Sequence, residues 1–195
     1  LARETVPAMV AEEGGAGKVY MLRAGLFDDV DAVVSWHAGD RNQAGSASTL
    51  ANVNAKFRFR GVSAHAAGAP EKGRSALDGV MAMTHMVDML REHVPSDTRI
   101  HYVITSGGAA PNVVPDFAEL YLYARHNDMT LLDGIWERII AASKGAAMGT
   151  GTSVDHEVMG AVYNVLPNDY LASYSRRTCS ASEGSFTRRK KKRLP

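Results

Sequence analysis

The chain has 195 residues, of which 45% are hydrophobic and 22% charged, as in globular proteins that bury a sizeable core. A net charge of +1 gives no general reason to expect a nucleic-acid or anionic-membrane partner. No apolar run approaches the roughly 20 residues that a membrane span needs. The single cysteine, Cys179, excludes a disulfide within the chain and fits a reducing, cytoplasmic compartment.

Residues 1–53 are predicted to belong to a different domain from the residues that follow. The spacing of apolar residues over Lys18–Leu26 predicts a helix, and the run Val30–Trp36 predicts a buried strand. Neither end of this segment is complete enough to fold alone. We therefore expect it to be a fragment of a larger domain.

Residues 54–160 have the periodicity of one folded unit. Asn54–Arg60 alternates apolar and basic residues, which predicts a half-buried strand, and Arg74–Val94 has helical spacing. Further strands are predicted over Ile100–Thr105, Phe117–Arg125 and Thr152–Met159, and a helix over Leu131–Ala147. This order predicts an α+β fold, a four-stranded antiparallel sheet with two helices on one face, the split βαβ or ferredoxin-like arrangement. The methionines of the first helix are expected to fill the core, at Met81, Met83, Met86 and Met89.

The C-terminal part changes character at Leu171-Ala172. Residues 173–195 carry eight arginines and lysines against one acid, Glu183, which leaves the rest of the chain with a net charge of −6. Few aliphatic residues remain there, so we expect a disordered basic tail. It is either an arm for nucleic acid or targeting, or an out-of-frame end, and the abrupt change favours the latter. Residues 161–172 are expected to return toward the first domain.

Two groups of residues near the N-terminus suggest a metal-binding and catalytic site. The adjacent acids Glu12 and Glu13 precede a glycine-rich turn, and His37 follows the predicted strand. A carboxylate and an imidazole brought together from a turn and a strand end can ligate zinc or manganese. The second carboxylate can then accept the proton of a water that the metal acidifies.

A further histidine, His65, lies in a loop of small residues between a predicted strand and a predicted helix. Such a position leaves room for a substrate beside the imidazole, which can donate a hydrogen bond or move a proton near neutral pH. A lone histidine is more often structural, and only the acids and histidine upstream favour a functional role.

Four motifs in this order resemble the aminoacylase/carboxypeptidase metallohydrolases. They are Ala11–Lys18, His37, Gly61–Ala67 and Pro111–Asp116. The most similar branch contains the amidohydrolases of p-aminobenzoyl-glutamate and of indole-acetyl-amino acids. The resemblance covers residues 9–172, and the 24-residue separation of Glu13 from His37 is that of this branch.

The resemblance implies a role for each matching residue. Glu12 is similar to the general base, and Glu13 and His37 are similar to ligands of a site for two zinc or manganese ions. His65 resembles the histidine of a lid domain that reaches the partner subunit's active site and stabilises an oxyanion.

Asn112 and Arg125 resemble substrate-binding residues, Arg125 as a clamp for the substrate's carboxylate. The neighbouring His126 has no counterpart and is expected to be exposed.

The function implied is a metal-dependent amidohydrolase that cleaves an N-acyl or aroyl amino acid. It would act as a homodimer joined through residues 54–160, with residues 1–53 a fragment of the α/β catalytic domain. The family's upstream Cys-Gly-His-like motif and its downstream histidine ligand are absent from this sequence. We therefore expect the chain to be incomplete and inactive alone. The alternatives are a non-catalytic dimerisation module and, least favoured, nucleic-acid binding through the tail.

Overall fold

A computed structural model describes residues 17–33, 44–45 and 47–183 of the chain. The elements, in chain order, are α1 (Gly17–Arg23), β1 (Ala51–Arg60), α2 (Ala76–Leu90), β2 (Arg99–Ser106), β3 (Phe117–His126), α3 (Met129–Thr150), β4 (Ser153–Val162) and α4 (Asp169–Glu183). Single 3₁₀ turns lie before and after α2, at Pro70–Lys72 and Arg91–His93. In the described part of the chain, no helix has both the length and the apolarity to cross a membrane.

The four strands form one antiparallel sheet in the order β2-β3-β1-β4. Alternate residues of the two central strands are buried, because only one face of the sheet is covered by helices. The strand order and the helices α2 and α3 on one face confirm the predicted α+β arrangement. The opposite face, which we call the open face, carries polar and charged side chains.

The core lies between the sheet and the two helices. Its largest fully buried side chains come from both layers: Phe57, Phe59, Met83, Leu120, Leu122, Leu132 and Ile139. The ring of Trp136 on α3 packs against Phe57, with 6.0 Å between ring centroids. Only one of the four methionines predicted to be buried is in this core. Met81, Met86 and Met89 are exposed, since they lie on the sides of α2 that face away from the sheet.

Polar caps fix where the two helices begin. The hydroxyl of Ser75 accepts the N–H of Asp78 at 3.1 Å, and the carboxylate of Asp128 accepts the N–H of Thr130 at 2.7 Å. At the end of α3, Gly151 has a φ of +65°, the left-handed conformation that terminates many helices.

Two predicted segments differ from the structure. Residues 30–33 are exposed and form no strand, so the predicted strand Val30–Trp36 is wrong there; residues 34–36 lie outside the described part. The basic tail, expected to be disordered from residue 173, is helical as far as Glu183. This helix has a cap that composition alone does not reveal, because the side chain of Asn168 accepts the N–H of Leu171 at 3.0 Å.

Candidate functional site

Two loops at one end of the sheet form a single platform that carries His65. Residues 61–75 leave β1, residues 107–116 join β2 to β3, and backbone hydrogen bonds connect the two segments. The N–H of Ala66 donates to the carbonyl of Asn112 at 3.0 Å, and the N–H of Val114 donates to that of Ala64 at 2.9 Å. The predicted site residues His65 and Asn112 are therefore neighbours, and both are exposed.

The loop also fixes how the ring of His65 is protonated. The backbone N–H groups of Ala67 and Gly68 point at Nδ1, at 3.2 and 3.0 Å. A nitrogen that accepts two hydrogen bonds needs its lone pair, so the proton of the neutral ring is on Nε2. A Cβ at Gly68 would lie 3.3 Å from Nδ1, so this close approach favours glycine. The result is an exposed ring whose Nε2–H is available as a hydrogen-bond donor.

An open cavity of about 440 Å³ lies beside this platform. Ala66 lines it together with Leu77 and Asp78 of α2 and most of the loop 107–115. Most of its lining residues are apolar or glycine, and Asp78 is the acidic residue among the described residues that line it. A small molecule in this cavity would lie next to the His65 loop.

Arg125 lies at the other end of the sheet. It is the ninth residue of β3, and its guanidinium carbon is 5.4 Å from the centre of the Tyr123 ring on the open face. Eight residues of strand separate it from Phe117, close to the His65 platform, which corresponds to about 27 Å. Within one chain, the structure therefore brings His65 and Asn112 together and keeps Arg125 apart from them.

Sequence reasoning missed Arg99, which lies directly opposite Arg125 in the β2–β3 register. No local motif signals this residue, because the pairing depends on how two strands 26 residues apart align. The open face thus has two arginines side by side at this end.

His126 corrects another expectation. Its side chain is buried, with only 3% of its surface exposed, because it alternates with Arg125 along β3 and points to the helix side of the sheet. Its Nε2 lies 3.1 Å from a carboxylate oxygen of Asp97, and its Nδ1 accepts the N–H of Asp128 at 2.9 Å. His126 therefore connects the turn before β2 to the start of α3, behind Arg125.

The tyrosines of the open face form a partly buried polar cluster. The hydroxyl of Tyr121 donates to the side chain of Asn54 at 3.0 Å and lies 3.0 Å from the hydroxyl of Tyr123. Burial, with the neighbouring Tyr123, raises the pKa of Tyr121 to about 12. This phenol stays neutral at physiological pH, which excludes it as a ready general base.

The predicted general base Glu12 and the predicted metal ligands Glu13 and His37 lie outside the described residues. Over residues 17–33, 44–45 and 47–183, no group of three or more His, Cys, Asp or Glu side chains could hold a metal ion. The described residues therefore do not by themselves fit a metal centre, and its ligands remain a prediction.

Residues 47–148 match the peptidase dimerisation domain of the M20 family. The chain is 45% identical over 161 residues to a p-aminobenzoyl-glutamate hydrolase subunit of Escherichia coli (strain K12), and the match covers 82% of this chain and 34% of the relative. It is 33% identical over 164 residues to the Xaa-Arg dipeptidase of Mus musculus, covering 84% of this chain and 38% of that protein.

A solved structure supports the same assignment. The crystal structure of aminobenzoyl-glutamate utilization protein from Klebsiella pneumoniae matches with a TM-score of 0.63 and 26% identity, over 82% of this chain and 42% of that one. An antiparallel sheet with two helices on one face, in a chain that matches this domain over more than half its length, defines the class. The chain belongs to the M20 peptidase dimerisation-domain family. It spans about a third to two fifths of the length of these relatives.

Proposed function

We propose that this chain supplies the lid and dimerisation domain of a metal-dependent amidohydrolase that cleaves an N-acyl or aroyl amino acid. Within it, residues 54–160 form the lid, and residues 1–53 and 161–172 belong to the catalytic domain. The named activity of the relatives, hydrolysis of p-aminobenzoyl-glutamate or of Xaa-Arg dipeptides, supports the reaction class. A p-aminobenzoyl-glutamate-like substrate is our first choice, since the relative with 45% identity is named for it.

The observation that carries this proposal is the state of His65. Its Nδ1 is occupied by two backbone N–H groups, and its exposed ring presents Nε2–H as a fixed donor. A donor held in place before the reaction stabilises the negative charge that develops on the carbonyl oxygen of a substrate under attack. Asn112, which is hydrogen-bonded to the same loop, would contact the substrate beside His65.

The distances along the sheet support a complete site that draws residues from two chains. A small amide substrate cannot contact both His65 and Arg125 of one chain across about 27 Å. If both residues bind substrate, His65 and Asn112 serve one active site and Arg125 serves another. This supports a homodimer in which His65 acts in the partner subunit.

The edge of the sheet at β2 is the surface on which we place the dimer contact. Its exposed residues include Val103 and Ile104, whereas the other edge strand, β4, carries Asp155, His156 and Glu157 in its centre. Charged side chains protect an edge from pairing and apolar ones do not. Helix α2 borders this edge, because the hydroxyl of Tyr102 on β2 contacts Asp88 on α2. The exposed Met81 lies two turns before Asp88 on the same side of the helix and adds an apolar side chain there.

Pairing of β2 with its own copy would also bring the right residues together. A two-fold axis pairs the strands antiparallel, so the end of one β2 lies beside the start of the other. The His65 platform, near the end of β2, would then lie at the same end of the joint sheet as Arg125 of the other chain, which is opposite the start of β2. One substrate could thus contact His65 and Asn112 of one subunit and Arg125 of the other.

The remaining groups of the site are proposed from the sequence resemblance. Glu13 and His37 would be among the ligands of two zinc or manganese ions, which supply the activation of water when bound. Glu12 would accept and deliver the proton.

The test is complementation in a complete hydrolase, in which residues 1–172 of this chain replace the matching segment of the Escherichia coli p-aminobenzoyl-glutamate hydrolase relative. His65→Ala and Glu12→Ala subunits are each expected to be inactive, His65→Ala losing about 10²–10³-fold in kcat. In a mixed dimer, one of the two sites combines an intact Glu12 with an intact His65 from the neighbour. Mixing the two variants should therefore restore hydrolysis of p-aminobenzoyl-glutamate.

The control is Glu137→Ala, exposed on α3 away from the platform, which should keep full activity as a homodimer. No recovery in mixtures of His65→Ala and Glu12→Ala that are shown to exchange subunits contradicts the role of His65 in trans. Full activity of His65→Ala homodimers favours the alternative, in which this domain only joins the subunits.

A further inference from the structure

The start of β2 carries unpaired positive charge next to Arg125. Arg99 and Arg125 are directly opposite each other, and both extend from the open face. Like charges at opposite positions destabilise an antiparallel pair. Among the described residues, neither guanidinium forms an ion pair with a carboxylate. At the other end of the same face, Arg58 and Arg60 are both paired with acids. The unpaired end is therefore suited to an anion.

A cavity of about 350 Å³ opens beside Arg99. Arg91, Arg99 and His101 line it, and no acid is among the described residues that do so. Arg91 is already neutralised by Asp88, at 2.7 Å. Arg99 and His101 therefore provide the cavity's available cationic or N–H donor groups.

Thr98 contributes a polar group without a partner to the wall of this cavity. It lines the same cavity, is 9% exposed, and its buried hydroxyl has no hydrogen-bond partner within the described part of the chain. A buried hydroxyl without a partner loses its bonds to water without replacement. A carboxylate reaches this hydroxyl only if the residues that cover it move aside, so recognition rests on Arg99 and His101.

The backbone holds the guanidinium of Arg99 in one place. Its Nη1 donates to the carbonyls of Ser96 and Thr98, each at 2.8 Å. Nε and Nη2 remain, and these two parallel donors match the two oxygens of a carboxylate. The guanidinium of Arg125 lies over the Tyr123 ring one strand away. Adjacent strands are about 4.8 Å apart, so the backbones that carry the two arginines are close enough for both side chains to reach one acidic amino acid.

We propose that Arg99 and His101, in the cavity that Thr98 also lines, form a subsite for the side-chain carboxylate of an acidic amino acid, while Arg125 holds the α-carboxylate of the same molecule. This rests on the proposed function, which supplies an N-acyl amino acid as the substrate. Charge determines the preference, because Arg99 attracts a glutamate side chain and repels an arginine side chain. The subsite therefore fits the glutamate in the first relative's name rather than the arginine of the Xaa-Arg dipeptidase.

The experiment titrates the 195-residue chain with N-(4-aminobenzoyl)-L-glutamate and with its glutamine analogue, which lacks only the second carboxylate. NMR follows the side-chain Nε–H signals of Arg99 and Arg125. Both signals should shift with the glutamate ligand, and the glutamine ligand should shift mainly that of Arg125. A charge-assisted pair of hydrogen bonds corresponds to a preference of about tenfold in Kd or more.

Arg99→Gln should abolish this preference, so that the glutamate and glutamine ligands bind with about the same Kd. Arg99→Lys, which keeps the charge but not the paired donors, should retain part of the preference. Arg60→Gln, at the other end of the open face, is the matched control and should keep the preference. The melting temperature of Arg99→Gln should change little, because losing the hydrogen bonds to Ser96 and Thr98 opposes the removal of a like-charge pair; a large fall with the preference kept indicates a structural role instead.

Equal binding of the two ligands by the unsubstituted chain, with Arg125 shifted by both, overturns the subsite and leaves the proposed function standing. An Arg99→Gln variant that keeps the preference overturns it as well. If neither ligand shifts Arg125, the carboxylate clamp of the proposed function fails, and the subsite fails with it.

Discussion

Glu119 shows how single residues hold the open face together. Its carboxylate lies 3.0 Å from Nε of Arg58 and 3.3 Å from Nζ of Lys56, and it accepts the hydroxyl of Thr105 at 2.8 Å. Burial by itself raises the pKa of Glu119, but the hydrogen bonds from these three donors outweigh burial, so the pKa is below its ordinary value of 4.5. Three strands are thereby joined through one side chain.

Replacing Glu119 with glutamine should make unfolding less dependent on pH. A carboxyl group whose pKa is lowered by folding stabilises fully above its unfolded pKa, and this contribution disappears as the pH falls through the folded pKa. The variant should therefore lose about 1–2 kcal/mol of unfolding free energy at about pH 7 and much less at about pH 3. Urea unfolding at the two pH values measures this. Glu137→Gln, exposed on α3, should change little, and an equal loss at both pH values for Glu119→Gln contradicts the assignment.

At the scale of elements, α2 approaches the sheet closely because it has a glycine at the contact. A Cβ added to Gly79 would lie 2.5 Å from a ring carbon of Phe59, which is fully buried and cannot move aside. Gly134 on α3 is the opposite case, since a Cβ there would meet nothing within 4 Å. Both residues are inside helices, so the intrinsic helical preference of alanine over glycine is the same at both.

The same substitution should therefore have opposite effects at these two positions. Gly79→Ala should destabilise the chain by about 1–3 kcal/mol, as overpacking does in a filled core. Gly134→Ala should stabilise it by about 0.5–1 kcal/mol, because glycine gains more freedom on unfolding. Thermal and urea unfolding of the two variants measure the difference. Stabilisation by both substitutions would show that α2 can move away from Phe59.

The elements that could be predicted from the sequence are those with a buried and an exposed face. The alternation over Asn54–Arg60 and the helical spacing over Arg74–Val94 both come from contact with one core, and the structure extends the strand back to Ala51 and ends the helix at Leu90. Polar Asn52 hid the start of the strand, because it lies on the open face.

The site was less accessible to sequence reasoning. His65 and Asn112 could be identified from local motifs in loops. The neighbourhood of Arg99 and Arg125, and the burial of His126 against Asp97, depend on register and packing between distant segments, which no local pattern records.

For the whole molecule, the two edges of the sheet differ in a way that governs assembly. The edge at β2 exposes Val103 by 58%, and the edge at β4 exposes Val158 by 48%, so both present an apolar residue. Only at β4 do charged residues of the same strand, Asp155 and Glu157, precede the exposed valine. Like charges from two copies would meet if β4 paired with itself, which leaves β2 as the edge suited to a second chain.

Val103→Lys should therefore weaken the dimer that we propose, whereas Val158→Lys should not. A lysine on the paired edge places the same charge from both chains at one contact and keeps the strand in solution. Sedimentation equilibrium over a range of concentrations should show the unsubstituted chain approaching twice the monomer mass, with Kd raised about tenfold or more by Val103→Lys. Both valines are exposed, so unfolding should be nearly unchanged in both variants, which separates loss of assembly from loss of fold. Weakening by Val158→Lys alone would move the contact to β4, and an unsubstituted chain that stays monomeric throughout would contradict pairing through β2.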